Sequence, residues 1–191
     1  KLPSFYADFS RSGGRNSAED VKIELEKLKK AGAEGIILDL RFNGGGSLGD
    51  AIDMSGLFIK DGPIVQVKTK AAKTSVYEDE DAGIVWDGPV VVLVNKFSAS
   101  ASEILAGALQ DYGRAVVVGT SSTYGKGTVQ RFIELDRYLR GDYDEYKPIG
   151  SLKLTIQKFY RITGKSTQWK GVESDIVLPD RYSFMDGEKD E

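Results

Sequence analysis

Val90-Val91-Val92-Leu93-Val94, followed by Asn95-Lys96-Phe97-Ser98-Ala99-Ser100-Ala101-Ser102-Glu103 and then by the helical pattern from Ile104 to Leu109, is the stretch from which the fold is read. Five apolar, mostly β-branched residues in a row predict a short buried strand. The run of small residues after it marks a tight strand-to-helix junction, and Ala115 to Val118 returns as a strand. Working outward, Asn16-Ser17-Ala18-Glu19-Asp20 reads as a capped helix start with acids in its first turn. Val21, Leu25 and Leu28 continue it at helical spacing, and Gly32 supplies a stop. Gly35-Ile36-Ile37-Leu38-Asp39-Leu40 is a second buried strand, followed by Gly44-Gly45-Gly46 and a predicted helix over residues 48–58. Residues 63–67, 128–135 and 152–159 read as strands, the last alternating Leu152, Leu154 and Ile156 with Lys153, Thr155 and Gln157. Strand–helix–strand units recur three times, which predicts an α/β layered fold with a mainly parallel sheet flanked by helices.

The remaining segments read as covering or terminal structure. Residues 71–88 are polar and mixed, and predict a hairpin or covering loop. Residues 136–148 are charged and tyrosine-rich, as expected of a surface insertion. One catalytic-sized domain over residues 1–181 is the economical organisation, with residues 182–191 an acidic tail expected to begin a further segment. Lys1-Leu2-Pro3-Ser4-Phe5-Tyr6 reads as the start of a strand cut from a longer chain.

Composition sets hard limits on chemistry. The 191 residues carry 40% apolar content and a net charge of −3, with basic and acidic residues interspersed, so no nucleic-acid footprint stands out. There is no cysteine, which removes disulfides, zinc–thiolate sites and thiol nucleophiles. There is no histidine either, which removes every mechanism whose base is an imidazole and every histidine-ligated metal. A nucleophilic mechanism in this chain needs a lysine, a carboxylate or a terminal amine as its base.

Three loops trail predicted strands: residues 41–47, 96–103 and 123–130. In a parallel sheet the carboxyl ends of the strands share one edge, so these loops are expected to converge on one crevice. Ser100 lies at a helix N-terminus, where unpaired N–H groups favour developing negative charge. Taken alone, the heptapeptide 97–103 reads as a helix cap, because Ser98, Ser100 and Ser102 can each serve. Gly44-Gly45-Gly46 can present consecutive N–H groups to an anion, or form a plain turn. Walker and dinucleotide spacings are absent from it. Lys126, between Gly125 and Gly127, is a base only if burial depresses its pKa from about 10.4. Gln130 lies four residues on, on the same side of an extended strand, where it can orient the lysine ammonium. Gly56-Leu57-Phe58 is expected to close a helix in the core. The acidic run 78–81 is expected to be a solvated loop.

Together these motifs resemble the C-terminal processing peptidases. The resemblance rests on Asp39-Leu40-Arg41-Phe42-Asn43-Gly44-Gly45-Gly46, Phe97-Ser98-Ala99-Ser100-Ala101-Ser102-Glu103-Ile104 and Tyr124-Gly125-Lys126-Gly127-Thr128-Val129-Gln130. It continues through residues 154–161, Ser166-Thr167-Gln168, Lys170-Gly171-Val172 and Asp175-Ile176. It implies a fold similar to the Clp-protease/crotonase group and endopeptidase cleavage near the C-termini of unfolded or tagged proteins, with no metal or other cofactor. It implies Ser100 as nucleophile, Lys126 as base and Gln130 as the residue that positions the lysine. The Gly46 and Ala101 amides would form the oxyanion hole, with Gly45 a possible substitute. Arg41, Glu103 and Asp111 match positions that support structure or activity.

The family acts in the periplasm or on the outer face of a membrane, and that location is the expectation here. The segment from Ser100 to Lys126, with Thr120-Ser121-Ser122-Thr123 before Tyr124, is one residue longer than the family pattern. No segment resembles the family's PDZ module, so the expected partners are that module of a parent chain and protein or peptide substrates with accessible C-terminal tails. Two other readings share the fold: a crotonase-like acyl-CoA hydratase or isomerase, with Glu103 the only carboxylate beside the site, and a non-catalytic retinoid- or peptide-binding relative.

Overall fold

The structure, a computed structural model, describes residues 1–8, 13–70, 73–79, 83–139, 141 and 143–181. The elements in chain order are α1 (Ser17–Lys30), β1 (Ile36–Asp39), α2 (Leu48–Gly56), β2 (Gly62–Lys68), β3 (Ser75–Asp79), β4 (Val90–Val94), α3 (Ala101–Asp111), β5 (Val116–Gly119), β6 (Thr128–Glu134), β7 (Ser151–Tyr160) and β8 (Ile176–Val177). They form two four-stranded sheets. One is parallel, in the order β1-β4-β5-β8. The other is antiparallel, in the order β3-β2-β7-β6.

The parallel sheet and its helices match the expected α/β class. Strand–helix–strand reasoning did not reveal that half of the strands pair antiparallel in a sheet of their own. Residues 71–88 contain the second strand of the β2–β3 hairpin. Within residues 136–148, the described residues form part of one 3₁₀ turn, Leu135–Tyr138, and all of another, Asp144–Tyr146. The acidic run 78–81 begins at the end of β3, and Glu80 and Asp81 lie outside the described residues, as does the tail 182–191. Residues 1–6 form no strand; Phe5 makes a single parallel bridge to Gly46.

Local chemistry accounts for the helices. Asn16 accepts from the Glu19 N–H at 2.8 Å and caps α1. Ser47 caps α2 through the Asp50 N–H at 3.2 Å. Asp50, itself buried, reaches from α2 to the start of α1 and accepts from Ser17 N–H, Ser17 Oγ and Ala18 N–H at 2.8, 2.7 and 3.1 Å. Apolar side chains of the parallel sheet (Leu38, Val92, Val117) and of the helices (Leu25, Met54, Leu105, Leu109) share one core cluster with Ile64, Val65 and Phe159 of the second sheet. Leu57 and Phe58, just past α2, are buried in it as expected.

The C-terminal end of α3 is tied to the second sheet by an ion pair. Arg161, which follows β7, donates to both oxygens of Asp111 at 2.6 and 2.8 Å, and also to Gln110 Oε1 at 2.9 Å. Both partners are largely buried, at 15% and 9% side-chain exposure, so either charge left alone would have little water around it. Asp111→Ala is therefore expected to lower the unfolding free energy by about 3 kcal/mol, read from the denaturant midpoint. An unchanged midpoint would show that water reaches Arg161 easily.

Candidate active site

Strands β1, β4 and β5 run parallel, so the loops that leave their carboxyl ends emerge on one edge. The first loop is held from below by Asn43, which is fully buried. Its Nδ2 donates to Leu2 O at 3.0 Å and its Oδ1 accepts from Gly45 N–H at 2.9 Å. Gly45 presses against the second loop. A Cβ there would lie 2.8 Å from both Ala99 O and Ser100 Cβ, a contact that only glycine escapes. At Gly46 a Cβ would lie 2.1 Å from the Phe5 carbonyl oxygen.

The second loop separates its three serines. Ser98 Oγ donates to Leu40 O at 2.8 Å and Ser102 Oγ donates to Asn43 O at 2.9 Å, and both residues are fully buried. They staple the turn to the glycine loop. Ser100 alone is partly exposed, and it lines a cleft of about 200 Å³ with Gly46, Ala101, Lys126 and Gln130. Its backbone sits at φ 58° and ψ −113°, a region costly for any residue but glycine. Strain of this kind persists where the surroundings enforce it, and here the enforcing group is Glu103.

Glu103 has no exposed surface, yet it is an acid in the first turn of α3. Its Oε2 accepts from Ser100 N–H at 2.8 Å and from Lys126 N–H at 2.9 Å. Its Oε1 accepts from Thr123 Oγ1 at 2.6 Å and Gly125 N–H at 2.7 Å. Burial pushes this carboxyl above the ordinary glutamate range, and the four donors pull it back toward the ionised form. The carboxylate thus binds the serine turn to the lysine loop.

Lys126 stands just before β6, half-buried, and its Nζ donates to Gln130 Oε1 at 3.1 Å. Burial lowers its pKa first, the nearby Lys153 ammonium lowers it further, and the Glu103 charge opposes both. No hydrogen bond joins Lys126 Nζ to Ser100 Oγ in this state, although both line the cleft. Among the described residues, the N–H groups of Gly46 and Ala101 have no hydrogen-bond partner, and both residues line the cleft with Ser100. Ala101 opens α3, where no intrahelical acceptor exists for its N–H. Gly45 N–H is committed to Asn43, so it is not available as the substitute donor. Among the described residues, no group of three or more acidic side chains is arranged to hold a metal ion.

The family model for peptidase family S41 matches residues 1–178. The chain belongs to peptidase family S41. It is 49% identical to the tail-specific protease of Haemophilus influenzae over 181 residues, spanning 94% of this chain and 24% of that protein. It is 40% identical to the carboxy-terminal-processing protease of Bartonella bacilliformis over 170 residues, spanning 86% of this chain and 35% of the relative. Among solved structures it is similar to the photosystem II D1 C-terminal processing protease, with a TM-score of 0.75 and 27% identity, covering 93% of this chain and 41% of that one.

The other residues singled out in this S41 chain take different places. Arg41 is outside the cleft lining, exposed, and makes a two-pronged pair with Asp39 at 2.9 and 3.0 Å at the end of β1. Its guanidinium holds the Asp39 carboxyl below the usual carboxylate range. Asp111 is at the far end of α3 and acts on the fold through Arg161. Sequence reasoning missed Thr123 as a Glu103 ligand, and it missed Phe132 and Lys153 as walls of the cleft. The alternation of β7 already separated Lys153 from its apolar neighbours, but the pairing that turns it to the cleft is tertiary.

Glu103→Gln keeps the shape and replaces an acceptor oxygen with an NH2 that must face N–H donors. It is expected to cost about 3 kcal/mol in stability. It should also raise amide hydrogen exchange selectively in residues 123–127. Unchanged protection there would mean that Glu103 does not hold the lysine loop.

Proposed function

We propose that this chain is the catalytic core of a serine endopeptidase that cuts polypeptides near their C-termini by acyl transfer, with Ser100 as nucleophile and Lys126 as base. The observation that carries the reading is the division of labour among the three serines. Two are buried staples, and Ser100 opens into the same cleft as a lysine whose pKa is lowered. The names of the relatives supply the substrate class, and the chain spans only 24% and 35% of the two curated relatives described.

In this reading neutral Lys126 takes the proton from Ser100 Oγ as that oxygen attacks the scissile carbonyl. The unpaired Gly46 and Ala101 N–H groups receive the oxyanion, one at the glycine loop and one at the positive end of α3. Lys126 then hands its proton to the leaving amine, and a water resolves the acyl-enzyme by the same route in reverse. Gln130 keeps the flexible ammonium stem within reach of the serine. The open dyad fits this reading, because catalytic hydrogen bonds are often long in the free enzyme and tighten when substrate binds.

The acyl-CoA reading needs a carboxylate free to exchange protons with substrate. Glu103 has no exposed surface and both its oxygens are engaged, which favours the peptidase reading. For the full-length protein acting on an unfolded protein with an apolar tail, Ser100→Ala and Lys126→Ala are each expected to reduce kcat roughly a thousandfold or more. Lys126→Arg should fail as well, because arginine keeps its proton near neutral pH. The active form carries neutral Lys126, so kcat/KM should rise with pH along one limb whose midpoint lies below the ordinary lysine value of about 10.4. Activity retained by Ser100→Ala would end the assignment.

A further inference from the structure

The cleft is one-sided in charge. Among the described residues, its walls carry two ammonium groups, Lys126 and Lys153, and no carboxylate. Lys126 is engaged by Gln130, whereas Lys153 has no part in the proposed acyl transfer. Lys153 stands on β7 directly opposite Phe132 of β6, and its Nζ lies 5.5 Å from the centre of the Phe132 ring. Among the described residues it pairs with no carboxylate. An unneutralised ammonium close enough to Lys126 to lower its pKa is electrostatically unfavourable in the free protein.

A lysine on an exposed ribbon is ordinarily a solvated side chain. Lys153 differs because it lines the cleft and its ammonium lies over the Phe132 ring, which attracts it there. The opposite side of β7 carries Leu152, Leu154 and Ile156, the other phase of the alternation. The cleft wall beside it is mixed: Leu48, Ile104, Val129 and Phe159 are apolar, and Thr128 and Gln130 add uncharged polar groups. Uncharged, partly apolar walls with a cation that no carboxylate neutralises fit a polypeptide segment that bears one negative charge.

We propose that Lys153, framed by Phe132, is a carboxylate-recognising subsite of the cleft that helps to set which bonds are cut. The proposal rests on the peptidase reading above and names the substrate feature which that site would select. The cleft is small, about 200 Å³, so a carboxylate bound at Lys153 lies close along the substrate to the bond presented to Ser100. Two polypeptide groups supply that chemistry, the terminal α-carboxylate and an Asp or Glu side chain.

The test compares three peptides of one apolar sequence in the full-length protein: a free acid, its C-terminal amide, and the amide with one interior glutamate near the scissile bond. The ratio of kcat/KM for each acid-bearing peptide to that for the plain amide is measured in the native protein and in Lys153→Met, Lys153→Arg and Lys153→Glu. All peptides meet the same Lys126, so any change in its protonation cancels in the ratio. Lys153→Met is expected to shrink the ratio roughly fivefold. Lys153→Arg should retain it, and Lys153→Glu should reduce it further.

A response confined to the free acid identifies the terminal carboxylate as the ligand, and a response of the glutamate peptide identifies the side chain. A ratio unchanged in both Lys153→Met and Lys153→Glu overturns the proposal. Failure of the peptidase reading is distinct: no peptide would then be cut in a Ser100-dependent way.

Discussion

Glu103 carries its carboxylate where water does not reach, and a carboxylate so placed must be met by donors or give up its charge. The chain meets it with three backbone N–H groups and one hydroxyl, drawn from two loops that are over twenty residues apart. That single constraint sets the geometry of the cleft. Ser100 cannot relax out of its positive-φ conformation without abandoning its bond to Glu103, and the lysine loop cannot withdraw without abandoning two N–H bonds. The interaction trades stability for placement: the buried ion is costly, and what it secures is the juxtaposition of two side chains that have no direct hydrogen bond.

Helix α3 extends this constraint across the molecule. At its first turn Glu103 holds the loop that leads into β6, and at its last turn Asp111 holds Arg161 at the end of β7. The helix begins at the edge of the parallel sheet and is clamped at both ends to the antiparallel one. The cleft accordingly takes the unpaired Gly46 and Ala101 N–H groups and Ser100 from loops of the first sheet, and Lys126, Gln130, Phe132 and Lys153 from the second. Gly45 completes the fit by letting the glycine loop approach the serine turn more closely than any side chain would permit.

Much of this was legible before the structure. The Val90 to Val94 run, the small-residue junction and the α3 pattern led to a parallel sheet with loops converging on one edge, and those loops do converge. The absence of histidine directed attention to Lys126, and its four-residue spacing to Gln130 matched a bond across the start of β6. What could not be read was tertiary. Ser98, Ser100 and Ser102 look equivalent in sequence, and only the packing of Leu40 and Asn43 beneath the turn distinguishes the staples from the open serine. The family resemblance marked Glu103 as a supporting position, but its burial and its four donors leave no mark in the sequence. β8 is two residues long, too short for any periodicity, and β7 showed its alternation without showing which strands it would pair with.

The central claim is that the fold singles out Ser100 from its neighbours and gives it a lysine as base. Treatment of the full-length protein with a β-lactone acylating probe, followed by peptide mapping by mass spectrometry, addresses both halves at once. The account predicts a single adduct on Ser100, none on Ser98 or Ser102, with a labelling rate that rises with pH and collapses in Lys126→Met. An adduct on another serine, or labelling of Ser100 at the same rate without Lys126, would contradict it.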